Sequence, residues 1–450
     1  MAHPLPAPPM SFGYPHTPLF YRRLDRPYRR AARAEGCWIE DDTGKRYLDA
    51  SGGALVANLG HGIPEIAEAM AQATRELTYV NGTQFTNRWA EELAVALARH
   101  LPQPLRFSYF LASGSEAIEA AVKLARQFFV DSGRPSKWKV ISLVPSYHGN
   151  TLAALALSGR EHYRAPFAPL LLDFPRVLGP DPYRDPAGSS LTPELLAAEI
   201  ERQGADTVAA VIAEPIGGAA SGARVPPPAY FPGLRALCDR HQILWIADEV
   251  LCGMGRTGRW LGSEHVGATP DILVLGKGLN GGAAPLSAVV TTPEIVAAVA
   301  RGHGAFLHAQ TYSHTPAICA AGVATVRLLE ERHLIERVAA LEAPFFGALD
   351  GLREHPWVGD VRGKGLLAGI ELVADRGARR CFPRAVRLAE RVTERAFERG
   401  LIVWPNTGHF RGEGDLLMLG PPFTVREAEI SEVVRRLGAA LDEVAAEVGS

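Results

Sequence analysis

The feature that most constrains this chain is a set of short, continuously apolar runs, two of which end on a charged or glycine-flanked step. Residues 243–247 run straight into Asp248 and Glu249, and residues 272–275 run into Gly276-Lys277-Gly278. Residues 107–111, 138–143 and 207–213 also read as strands. A strand with one face in water alternates apolar and polar residues, whereas one covered by helices on both faces does not. Helical periodicity fills the gaps, at residues 89–100, 115 to about 131, 193–203 and 231–241. This alternation predicts an α/β class with a mostly parallel sheet.

The flanks read differently. Residues 1 to about 18 are Pro-rich and read as an extended arm. Residues 36–48 read as a hairpin turning at Asp42-Thr43-Gly44, with a helix over 64–76. Beyond about residue 330, amphipathic helices (335–353, 385–399, 425–448) alternate with short strands such as 369–372, which predicts a smaller α+β domain.

Composition narrows the function. Lys plus Arg number 47 against 49 for Asp plus Glu, which excludes a broadly basic nucleic-acid binder. With 47% hydrophobic residues the bulk of the chain is not disordered. The five cysteines are scattered, with no CxxC pair, so neither a disulfide framework nor a zinc site is expected; a reducing, cytoplasmic setting is. The opening segment has no charged n-region or apolar h-region, so no signal peptide is expected, and no membrane span is expected either.

Open α/β sheets bind ligands at the carboxyl ends of their strands, so the chemistry is sought there. Ser113-Gly114-Ser115 follows a strand and opens a helix. Its free N–H groups and hydroxyls suit a phosphate, although a plain N-cap would use the same residues. Asp248 needs a cationic partner if it is buried; a solvated strand end is the bland alternative. Lys277, flanked by glycines after an apolar strand, would be a nucleophile towards carbonyls if desolvated, while most loop lysines are simply solvated.

Two glycine patterns are decoys. Gly253-Met254-Gly255-Arg256-Thr257-Gly258 matches a dinucleotide fingerprint, yet two carboxylates precede it and no helix has room to follow. Gly276-Lys277 lacks the glycine and the Ser/Thr of a P-loop. The histidines form no HxxxH or HExxH pair, so a metal hydrolase is unsupported, and there is no G-x-S-x-G elbow.

A phosphate cradle, a carboxylate and a glycine-flanked lysine on successive strand ends together fit pyridoxal phosphate. SGSEAIEAAVKLAR at 113–126, SYHGNT at 146–151, AEP at 213–215, DEVLCGMGRTG at 248–258, LGKGLNGG at 275–282 and QTYSHTP at 310–316 resemble class III aminotransferases of fold type I. The resemblance implies a mostly parallel seven-stranded sheet in a large domain (76–334). It also implies a small domain built from 335–450 and part of 1–75. Lys277 resembles the Schiff-base lysine and Asp248 the partner of the pyridine nitrogen. Val250 and Tyr147 are similar to the residues on the two ring faces. Ser113, Gly114 and Ser115 resemble the phosphate cradle, and Glu214 the glutamate on the ring-hydroxyl side. Thr311 is similar to the threonine that reaches the neighbouring subunit's phosphate, which implies a homodimer, or a dimer of dimers, with shared sites. His148 reads as structural. His314 stands where the family more often has glycine, which puts that loop's geometry in question.

Subgroup features resemble the ω-amine:pyruvate type. Ala219 and Met418 occupy positions where ornithine, acetylornithine and 4-aminobutyrate types carry a glutamate and an arginine. Arg411 and Asp415 have the ω-amine spacing before Pro421-Pro422, so Arg411 resembles a mobile arginine that binds a carboxylate. Leu55, Phe20 and Phe85 are pocket candidates, Leu55 standing where relatives often have tryptophan. The implied reaction moves an amino group from an amine to a keto acid such as pyruvate by ping-pong kinetics. A racemase, aminomutase or decarboxylating enzyme on the same scaffold is the alternative.

Overall fold

The computed structural model describes residues 19–24, 26 and 28–448, so the Pro-rich arm lies outside the described residues. Its strands in chain order are β1 (Ala31–Glu35), β2 (Trp38–Asp41), β3 (Arg46–Asp49), β4 (Phe107–Leu111) and β5 (Lys139–Val144). Then come β6 (Arg176–Leu178), β7 (Val208–Ala213), β8 (Leu244–Asp248), β9 (Ile272–Leu275) and β10 (Ser287–Thr291). The last are β11 (Val358–Lys364), β12 (Leu367–Leu372), β13 (Leu401–Ile402), β14 (Trp404–Phe410) and β15 (Glu413–Leu419).

The central sheet has seven strands in the order β4-β10-β9-β8-β7-β5-β6. Within it β7, β8, β9 and β10 are buried at every residue, as the unbroken apolar runs require. Only β10 runs against the others. The apolar-run reading does not pick out β10, because a five-residue Ser-Ala-Val-Val-Thr segment resembles a buried loop until its neighbours are known. The carboxyl ends of β4, β9, β8, β7 and β5 therefore share one edge, and β10 brings Ser287 to it, where its hydroxyl donates to Ser113 O at 2.7 Å.

Side-chain caps fix the helix starts. Ser113 Oγ accepts from Glu116 N at the head of Gly114–Asp131, and Asn87 Oδ1 accepts from Ala90 N at the head of Arg88–Ala98. The decoy glycine loop is a run of buried turns with positive φ at Gly255 and Gly258, followed only by the short 3-10 turn Gly262–His265. Among the described residues no helix is long and apolar enough to cross a membrane.

The C-terminal segment folds on an antiparallel sheet, β11-β12-β15-β14, and β13 closes the N-terminal sheet by pairing in parallel with β3. Gly369 on β12 lies against the loop after β7. A Cβ there would stand 2.3 Å from Gly222 O and 2.8 Å from Gly222 C, so two backbones would have to part. Gly369→Ala is expected to cost about 1–3 kcal/mol by overpacking, measured as a lower midpoint of thermal unfolding. An unchanged midpoint would mean the contact is soft.

Candidate active site

Three strand ends converge on one side chain. Val250, two residues beyond β8, lies between Gly114 and Gly276. A Cβ on Gly114 would meet Val250 Cγ1 at 3.0 Å, and one on Gly276 would meet it at 3.2 Å. The glycines at these two positions are thus what lets the helix N-terminus, the Asp248 turn and the Lys277 turn close on a single cleft.

On one side, the first N–H groups of helix Gly114–Asp131 have no intrahelical partner. Ser113 is the N-cap, and its neighbour Ser115 shares its hydroxyl with Asn150, donating to Oδ1 at 2.9 Å and accepting from N at 3.1 Å. The capping and anion-binding readings therefore coexist: the cap uses the Ser113 hydroxyl and leaves the opening N–H groups.

Asp248 is buried at the end of β8. Its Oδ1 accepts from Val250 N at 3.0 Å, and Oδ2 pairs with His148 Nδ1 at 2.7 Å. His148 is itself buried and is fixed by Ser158 Oγ at its backbone N–H. His148 is thus the hydrogen-bonding partner of the buried Asp248 carboxylate. Nothing in local sequence pairs residues one hundred positions apart.

Lys277 opens a 3-10 turn with a φ of 43°, and Asn58 secures that turn by donating to Gly278 O at 3.0 Å. Asn58 was not legible as a site residue from the chain alone. Burial pushes the Lys277 ammonium below its ordinary pKa, against the opposing pull of Asp248 and Glu214. Glu214, just past β7, accepts from Gly218 N at 3.2 Å. Burial first, and the Asp248 charge second, hold its carboxyl well above the usual carboxylate range. Both side chains are deep yet retain some accessible surface, as groups on a cleft floor do.

Tyr147 is half-buried beside His148, and burial raises its phenol pKa. Thr311 is exposed, on a loop that Gln310 ties to Glu116 at 3.4 Å. His314 adopts a φ of 59°, the left-handed conformation a glycine would take freely. Asn87 holds its carbonyl at 2.8 Å, and its ring meets Tyr109 edge-on at 4.8 Å, so the loop keeps the glycine-like turn despite the side chain.

The substrate candidates scatter more. Leu55 is buried against Gly420, where a Cβ would meet Leu55 Cδ2 at 2.6 Å, while Phe20 and Phe85 are exposed. Arg411 is exposed at the turn between β14 and β15, with a φ of 50°. Asp415 is buried on β15 and accepts from Arg384 Nη1 at 2.7 Å and Ala389 N at 3.0 Å. The Arg411–Asp415 spacing thus marks the hairpin, whose acid is an internal anchor.

The chain belongs to the class III aminotransferases: the family model described as "Aminotransferase class-III" matches residues 20–441. It is an enzyme of amino-group transfer, and the family implies pyridoxal phosphate as cofactor. It is 38% identical over 418 residues to the uncharacterized aminotransferase YodT of Bacillus subtilis, covering 91% of this chain and 94% of that one. It is 35% identical over 450 residues to the putrescine–pyruvate aminotransferase of Pseudomonas aeruginosa, covering 96% and 95%. The crystal structure of the ω-transaminase from Pseudomonas jessenii in complex with PMP superposes with a TM-score of 0.87 at 33% identity, covering 94% of each chain.

Proposed function

We propose that this aminotransferase moves the amino group of an amine or ω-amino acid to pyruvate or a similar keto acid, in two half-reactions at the cleft around Val250. The observation that carries the reading is the contact of Val250 with both Gly114 and Gly276, which unites an anion-binding helix end, a buried carboxylate and a desolvated lysine. Those groups fit pyridoxal phosphate. Ser113, Gly114 and Ser115 would hold its phosphate, with Thr311 of a second copy completing the cradle. Val250 and Tyr147 would take its two faces, and Asp248 and Glu214 its polar edge. When bound, the group supplies an electron sink for the carbon that carries the amine.

The chain's own residues do the rest. Asp248, fixed by His148, would face the pyridine nitrogen of the bound group and hold a proton there. Lys277 Nζ, made less basic by burial, takes the proton from the substrate carbon bearing nitrogen and returns it in the reverse half. Glu214, whose carboxyl burial holds well above the usual carboxylate range, lies in the same cleft. Residues 335–450, with part of 1–75, act as a small domain against 76–334. The exposed apolar side chains of Leu307, Tyr312 and Phe85 support a homodimer, which sedimentation of the purified protein tests.

The half-reactions separate experimentally. Holoenzyme mixed with an amine and no acceptor should release one equivalent of carbonyl product, and pyruvate added next should yield one equivalent of alanine. No product before the acceptor is added would overturn the two-step reading. Arg411 is expected to serve the acid half. Arg411→Ala should lower kcat/KM for pyruvate by about 30- to 1000-fold, as loss of a charge-assisted bidentate contact would. Donors without a carboxylate should be affected far less in single-turnover absorbance. If both halves slow equally, Arg411 supports the hairpin rather than the acid.

A further inference from the structure

Arg160 is a buried charge without an acid among the described residues. It is 9% exposed, yet its guanidinium makes one side-chain hydrogen bond among the described residues, from Nη2 to the neutral Asn406 Oδ1. No carboxylate forms an ion pair with it among the described residues. Three other buried arginines have acids: Arg184 and Arg362 pair with Glu371, and Arg224 pairs with Asp181. Arg256 donates to Pro421 O at 2.6 Å and Leu366 O at 3.1 Å.

The surroundings of Arg160 belong to the cleft. Its guanidinium carbon lies 4.7 Å from the Tyr163 ring centroid and 5.9 Å from that of Tyr147. Asn406 sits on β14, the strand that leads to Arg411, and also donates to Ala220 O at 3.2 Å, so the guanidinium is anchored to a side chain that is itself held. Arg22 adds a second cation by donating to Tyr163 Oη at 3.3 Å. Glu214 also acts on Arg160 through its charge, but it accepts from Gly218 N and forms no ion pair with the guanidinium among the described residues. Aromatic faces offset part of the cost of burying a cation, and an anion offsets the remainder.

We propose that Arg160 is a fixed carboxylate-binding residue on the Tyr147 wall, and that the preferred amine donor is therefore an ω-amino acid whose distal carboxylate it receives, not a plain apolar amine. This rests on the aminotransferase reading and assigns its donor class. Arg411, at an exposed turn, is left for the keto acid. Because Arg160 is clamped by Asn406, it selects by charge at a fixed distance from the lysine, so preference should peak at one donor length.

The test compares acids with amines of matched chain length on the holoenzyme: β-alanine, γ-aminobutyrate and ε-aminocaproate against n-propylamine, n-butylamine and n-hexylamine. Single-turnover absorbance gives kcat/KM for the donor half alone. The wild-type enzyme should prefer the acid at one length, and Arg160→Gln should cut the acid-to-amine ratio there by about 30- to 1000-fold, the loss expected for a buried charge pair. Arg160→Lys should restore part of it. A merely structural arginine would slow acid and amine together and leave the ratio unchanged, which would overturn the proposal. So would a wild-type enzyme with no preference at any length. Should Arg160→Gln fail to fold, Arg160→Lys and the wild-type ratio still decide. Butyrate binding, measured by calorimetry on the holoenzyme, adds a readout that needs no turnover: it should weaken in both variants, and equal binding would count against the assignment. If no donor of either kind reacts, the donor reading fails separately from this one.

Discussion

Lys277→Ala is expected to reduce amino-group transfer by at least about 10²- to 10⁴-fold, the range that a positioned proton-transfer group supplies. The side chain stands at the end of a fully buried strand, where desolvation depresses its basicity. Two measurements check the role. Borohydride reduction of the holoenzyme should fix the cofactor to Lys277, and peptide mapping that found the label on another lysine would sink the assignment. Added methylamine should partly restore turnover to Lys277→Ala, because a small free base can enter the space the side chain leaves. The variant should retain its unfolding free energy to within about 1 kcal/mol, since it removes a charge that burial disfavours.

Asp248→Asn is the second large effect, expected at about 10²- to 10³-fold in kcat, by analogy with removing one preorganised electrostatic contact to a transition state. The substitution keeps the shape of the side chain and its contact with Val250 N. It removes the charge that faces the cleft and pairs with His148 at 2.7 Å. The loss should fall on kcat rather than KM, because the negative charge on the reacting carbon that Asp248 helps to disperse exists only on the way to the transition state. Near-normal kcat in Asp248→Asn would rule the role out. A rise in KM alone would mean that the residue only helps to hold the cofactor.

Much of this site was legible before the fold was known, because its parts are local. The Lys277 turn, the Asp248 turn and the capped helix at Ser113 are each defined by residues within a few positions of one another. Apolar runs announce strands buried on both faces, and their ends announce where chemistry sits. His148 reads as structural in the sequence, and its contact with Asp248, one hundred residues away, is not legible there. The acid spaced after Arg411 read as part of a recognition motif, whereas Asp415 is bound to Arg384 and to the N-terminus of helix Leu388–Glu398.

The sequence by itself determined the α/β class, the order of the strand-end motifs, the family and the rejection of the glycine decoys. All of these follow from periodicity, spacing and local stereochemistry. Only the tertiary structure decided that Val250 closes on Gly114 and Gly276, that β10 enters the sheet antiparallel, and that β13 completes the N-terminal sheet. It also decided that Arg160 is buried without an acid while Arg411 stands at an exposed turn. The reason is physical: a side chain's charge environment is set by the groups packed around it, and for Arg160 those come from Tyr147, Tyr163 and Asn406, the last of them 246 residues along the chain.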